Sequence, residues 1–166
     1  IYWLPKINPA AYTRLLTQTG AAIRSVDPAA RIVLGGMPVA SHLGAKLTNY
    51  LRDMYRAGAR GTFDIVSIHA YATSSASLMA ALHDARAIVK QNRDPTVGLW
   101  ATEFGWGAGG PKGTYNAGEQ RQASLIAATI RTMGRERRAL NLQGFVYYGW
   151  RDQPPYPGRT DFWGFH

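Results

Sequence analysis

Cysteine is missing from all 166 residues, which removes disulfides and thiolate chemistry and leaves the redox compartment open. Carboxylates are scarce: ten Asp and Glu stand against 19 Lys and Arg, giving a net charge of +9. No run approaches the roughly 18 apolar residues of a membrane span, and the first residues lack the basic-then-apolar pattern of a signal peptide. The glycines form no G-x-G-x-x-G turn between a strand and a helix, which argues against a dinucleotide site. No two histidines stand at ligand spacing, since His42, His69, His83 and His166 fall in unrelated contexts, so neither a metal nor a cofactor is expected. The chain opens on Ile1 rather than methionine, from which a longer protein is expected. Localisation is bounded only weakly, a secreted or cell-envelope setting being compatible.

What is present describes a globular domain, with 46% hydrophobic and 11% aromatic residues over a length that supports a real core. The excess of positive charge invites a nucleic-acid or polyanion reading. Its densest cluster, Arg131, Arg135, Arg137 and Arg138, falls at the end of a helical segment, where cations complement the helix dipole and face solvent. That placement favours a solvated face over a binding patch.

In chain order, Asn8-Pro9 reads as a helix start, and Tyr12, Leu15, Leu16, Thr19 and Ile23 recur at helical spacing up to a stop at Asp27-Pro28. Arg31 to Gly36 is a short apolar strand ending in a glycine pair. Leu47, Tyr50, Leu51, Met54 and Tyr55 predict a second amphipathic helix closed by Gly58 and Gly61. Asp64 to Tyr71 is a strand with Val66, Ile68 and Ala70 on one face and Ser67, His69 and Tyr71 on the other. A helix capped by Ser77 and carrying Leu78, Leu82, Ala85, Ile88 and Val89 leads to a strand over Val97 to Trp106. A glycine-rich loop, a helix from Glu119 to Met133 with Ile126, Ile130 and Met133 inward, and a strand from Phe145 to Trp150 complete the order.

Helices and strands therefore alternate, and the first three strands begin about 33 residues apart, the cadence of βα units around a parallel sheet. The near-continuous apolar strands suit parallel pairing with both faces covered. Functional residues of a (β/α)8 barrel sit at the C-terminal ends of its strands. Gly35-Gly36, His69 and Tyr71, Glu103 and Trp106, and Trp150 and Asp152 all fall there. Four strands do not close a barrel, which takes about 250 residues. The expected fold is α/β, an incomplete (β/α)8 barrel forming a single partial domain over residues 1–166, with two unpaired edges.

Most carboxylates can be set aside by position, leaving Glu103, Asp152 and Asp161 near the strand mouths. Glu103 is the only glutamate that ends an apolar strand, and an unpaired charge there costs several kcal/mol unless partners or a wet cleft receive it. His69 reads either as a core histidine or as a residue orienting Glu103. Trp106 and Trp150 read as core residues or as flat apolar platforms for the C–H faces of a sugar ring. Tyr71, Tyr147 and Tyr148 are packing candidates with the same alternative.

The segment Trp100-Ala101-Thr102-Glu103-Phe104-Gly105-Trp106 resembles the seventh-strand nucleophile motif of the retaining glycoside hydrolases of clan A, nearest to family 39-like bacterial enzymes. Tyr12 to Leu34 with Gly35-Gly36 resembles their fourth helix and fifth strand, Phe63 to Tyr71 their sixth strand, and Tyr147-Tyr148-Gly149-Trp150-Arg151-Asp152 their eighth. Phe162-Trp163-Gly164-Phe165 is similar to the segment before their last helix. The resemblance implies a C-terminal half-barrel, strands five to eight, lacking strands one to four and the last helix. It implies that Glu103 is the nucleophile, that His69 and Tyr71 hold it, and that Trp150 floors the adjoining subsite. Trp106, Tyr148 and Asp152 are the further substrate-binding or orienting candidates.

Clan members draw their acid/base from an Asn-Glu-Pro motif a few residues before a segment like Tyr2-Trp3-Leu4-Pro5, and this chain has no such motif. The resemblance thus implies an oligosaccharide or polysaccharide substrate, a partner in the missing N-terminal half, and no activity for residues 1–166 alone. Nucleic acid and membrane are not expected partners. A non-catalytic carbohydrate-binding protein on a degenerate barrel and a basic polyanion binder are the rival readings.

Overall fold

The computed structural model describes residues 6–39, 46–109 and 114–149. Helix α1 (Pro9–Val26) starts where the Asn8 side chain accepts from the Ala11 N–H at 2.9 Å, with Pro9 preset for the first turn, and ends at Asp27. Its buried stripe is Thr13, Leu16 and Gly20; Leu15, Thr19 and Ile23, expected inside, are exposed. Gly20 lies on the packed side of the helix, where a Cβ would sit at ordinary contact distance from the Thr62 carbonyl and Ile32.

Helix α2 (Leu47–Arg56) buries Leu47, Tyr50, Leu51, Met54 and Tyr55, the residues its periodicity singles out. Helix α3 (Ser75–Gln91) is capped by Ser74 rather than Ser77: the Ser74 Oγ accepts from the Ser77 N–H at 3.1 Å. Helix α4 (Glu119–Leu140) runs on past Met133, since no breaker intervenes before Asn141, which ends it in the left-handed conformation at φ 51°. Met133 is buried and Ile126 half-buried, whereas Ile130 is exposed.

Four parallel strands, β1 (Met37–Pro38), β2 (Ile65–His69), β3 (Gly98–Phe104) and β4 (Leu142–Tyr147), lie in chain order across one sheet. The first strand is shorter and later than Arg31–Gly36. Val33 makes an isolated bridge to Ile65, but regular pairing waits for Met37 opposite Ile68. One more residue lies between Val33 and Met37 than between Ile65 and Ile68, and the slip falls around the glycine pair. The last strand starts at Leu142 rather than Phe145 because Asn141 hands the chain directly from α4 into the sheet. The Asn141 Nδ2 donates to the carbonyls of Thr96 and Val97, both at 3.1 Å.

The core lies between the helices and one face of the sheet, where Leu51, Met54, Ile68, Leu78, Leu82, Leu99 and Phe104 are wholly enclosed. Ser67, His69 and Trp100 lie on the other face.

Candidate active site

Simple alternation along β3 would put Glu103 on the same face as Leu99 and Ala101, against the helices. The structure avoids that burial with a β-bulge. Ala101 faces Ile68, but Glu103 faces His69, so β3 carries one extra residue at that point. The pairing with β4 slips in the same interval, with Ala101 opposite Phe145 and Phe104 opposite Tyr147. The extra residue turns Glu103 to the His69 face and sends Phe104, fully buried, into the core.

There the Tyr71 hydroxyl donates to Glu103 Oε2 at 3.0 Å, and His69 Nδ1 stands 3.3 Å from the same oxygen. Among the described residues, no hydrogen bond reaches Oε1. Burial, then the Glu103 charge and hydrogen bond, push the Tyr71 phenol well above its ordinary value, so it remains a donor. Burial lowers the His69 pKa below its ordinary 6.5, with Glu103 opposing, so the imidazole is neutral at pH 7. Its ring occupies space left by Gly36, where a Cβ would overlap Nε2.

The structure gathers some sequence candidates here and not others. Tyr148, 45% exposed, meets Tyr71 edge-on with ring centroids 6.5 Å apart. Trp106 lies elsewhere: it is 1% exposed, donates from Nε1 to the Ala72 carbonyl at 2.7 Å, and packs edge-on to Phe104. No ring face is open to a sugar, so of its two readings the buried one describes it. Trp150 and Asp152 lie outside the described residues.

Two features escaped sequence reasoning. Tyr115, 40% exposed, places its ring 6.1 Å from Tyr71, and its backbone is fixed by a bond from the Gly107 N–H to the Tyr115 carbonyl at 2.8 Å. Its only signal was an aromatic residue in a glycine-rich loop. The second is a hydroxyl pair at the residue before Glu103, Ser67 Oγ to Thr102 Oγ1 at 2.6 Å. Ser67 was visible as a polar residue on the His69 face, whereas Thr102 gave no signal apart from its place before Glu103.

Among the described residues no group of three His, Cys, Asp or Glu side chains could hold a metal ion, and no helix is long and apolar enough to cross a membrane. Arg131, Arg135, Arg137 and Arg138 are all exposed along the second half of α4, which feeds the start of β4 and so points away from the strand end bearing Glu103.

This α/β sheet of four parallel strands, with a carboxylate, an imidazole and phenols collected at its C-terminal edge, matches part of a (β/α)8 barrel. The chain belongs to the glycosyl hydrolase catalytic core family, which residues 7–154 match. An α-L-arabinofuranosidase from Thermotoga maritima superposes with a TM-score of 0.64 at 10% identity, over 85% of this chain and 30% of its own. A monomeric β-xylosidase from Caulobacter crescentus CB15 gives 0.59 at 17% identity, over 95% of this chain and 34% of its own. Fungal β-1,4-galactanases give 0.56 at 14% identity, over 84% of this chain and 44% of theirs. At these identities the likeness is one of fold, and the chain spans less than half the length of each. No curated protein matches the sequence.

Proposed function

We propose that this chain is the C-terminal half of a clan A retaining glycoside hydrolase, akin to family 39 enzymes, that cleaves β-linked glycans by double displacement. The observation that carries the reading is Glu103 itself, turned by the bulge to the sheet face bearing His69 and held through one oxygen by the Tyr71 hydroxyl. Oε1 is then the attacking atom. It bonds to the anomeric carbon as the bond to the leaving oxygen breaks, giving a glycosyl ester on Glu103. Water releases the sugar from that ester in the second step.

Retention needs a second carboxyl about 5 to 5.5 Å away, which first protonates the leaving oxygen and then takes a proton from water. In this reading it is the glutamate of an Asn-Glu-Pro motif just upstream of Ile1, on the missing half of the barrel. Tyr71 fixes the carboxylate, neutral His69 lies beside it without adding a charge, and Tyr148 borders the sugar site.

The test is Glu103→Gln in the full-length protein, assayed on a panel of 4-nitrophenyl glycosides that includes the arabinoside, xyloside and galactoside. Turnover should fall on the order of 10^4-fold with the fold intact. Undiminished turnover would overturn the nucleophile assignment, and a full-length protein that binds glycans yet hydrolyses none would favour the carbohydrate-binding reading.

A further inference from the structure

Glu103 reaches its position only because β3 slips by one residue, and that slip is where two hydroxyls meet. Ser67, 3% exposed on β2, lies 2.6 Å from Thr102 Oγ1, and Thr102 Oγ1 donates to the Ile68 carbonyl at 3.4 Å. The 2.6 Å Ser67–Thr102 contact is the stronger of the two, and either hydroxyl can donate in it. Ile68 is the last β2 residue in simple register with β3, and Thr102 lies between Ala101, its partner, and Glu103, the partner of His69. The side chains thus bridge the two strands at the residue where regular pairing is interrupted.

A bulge leaves its extra residue outside the ladder and free to vary in orientation unless something else ties it down. Here the tie is the chain from Ser67 through Thr102 to Ile68, and the residue it secures immediately precedes Glu103. The Ala70 N–H also bonds to the Glu103 carbonyl at 2.6 Å, which holds the backbone just past the slip.

We infer that Ser67 and Thr102 are positioning residues: their hydroxyl pair locks the β3 bulge and so fixes the Glu103 carboxylate against His69 and Tyr71. Calling this an aid to catalysis rests on the glycosidase reading, but the geometry it claims does not. The test therefore reads geometry. Glu103 is a charged group beside the imidazole and raises its pKa, so the titration of His69 reports whether the carboxylate is in place.

The midpoint is measured by NMR in the full-length protein, with the His69 signal assigned by its loss in His69→Gln. Glu103→Gln sets the scale by removing the charge, and should lower the His69 midpoint. Thr102→Val, which keeps the shape and removes the donor, should reproduce at least about half of that downward shift, and Thr102→Ser should restore the original value. Ser67→Ala gives a second, smaller perturbation in the same direction should Thr102→Val not fold. An unchanged midpoint in folded Thr102→Val or Ser67→Ala would overturn the inference, and so would no shift in Glu103→Gln. Loss of turnover in Glu103→Gln is judged separately, so the glycosidase reading and the positioning role can fail independently.

Discussion

A methyl group added at Gly36 would overlap the His69 imidazole, so Gly36→Ala should push the ring away from Glu103 without straining the backbone. Turnover of 4-nitrophenyl glycosides by the full-length protein should fall about tenfold or more, while its melting temperature moves little. Acid should act through the same imidazole. Its folded pKa lies below 6.5, so the unfolded chain binds more protons there, and stability is lost as pH falls from 6.5 through the folded value. Urea denaturation at pH 5 and pH 7 should show that loss shrinking in His69→Gln. At the alkaline end the sign reverses. Burial first, and then Tyr12, push the Tyr50 phenol up from 10 to about 12, so this group stabilises the fold below pH 10 and ceases to as pH climbs through 12. Ultraviolet titration should find Tyr50 still un-ionised in the native protein at pH 10.5 and ionised on unfolding. Glu103, His69 and Tyr71 were legible because few residues with reactive side chains end apolar strands. The bulge was not, because alternation is a rule about regular strands, and an extra residue is set by contacts between strands. Trp106 shows the converse: an aromatic ring beside a site can belong wholly to the core.

Elements were legible where a local signal sufficed. Asn8-Pro9 starts α1 and the apolar spacing of α2 names its buried face, since caps and periodicity act within a few residues. Where the tertiary approach decides, the signal weakens, as when α1 turns Thr13, Leu16 and Gly20 inward and leaves Leu15 and Ile23 outside. The joints between helices and strands carry stability of their own. Arg86 on α3 is 9% exposed and donates to the carbonyls of Val97 at 2.9 Å and Pro95 at 2.8 Å, fastening the helix to the entry of β3. Arg86→Met would keep the volume but leave the Pro95 carbonyl without the guanidinium, while the Val97 carbonyl keeps its bond from Asn141 Nδ2. A loss of about 1 kcal/mol is expected for the one group left uncompensated, read as a lower urea midpoint in the full-length protein. Asp64 makes a second joint, accepting from the Ile32 N–H at 2.6 Å and pairing with Arg24 of α1 at 2.7 Å.

At the scale of the molecule, the sheet is ordered β1-β2-β3-β4, with β1 and β4 at its two edges. Phe145, Val146 and Tyr148, along β4 and just after it, are all more than 40% exposed. The proposed N-terminal half would cover this edge. Residues 1–166 produced alone should therefore bind a hydrophobic dye and self-associate in light scattering, and the full-length protein should do neither. A monomeric, dye-silent fragment would count against that half-barrel proposal. Barrel membership was legible in the cadence of strands and helices, but what completes the barrel is not written in these residues. The central claim concerns a single covalent bond. Incubating the full-length protein with a 2-deoxy-2-fluoro glycoside carrying a dinitrophenyl leaving group, matched to the sugar it turns over, should slow the second step and leave the sugar attached. Peptide mass spectrometry is predicted to find that adduct on Glu103. An adduct on another carboxylate, or turnover of the unfluorinated glycoside with inversion at the anomeric carbon, would contradict the account.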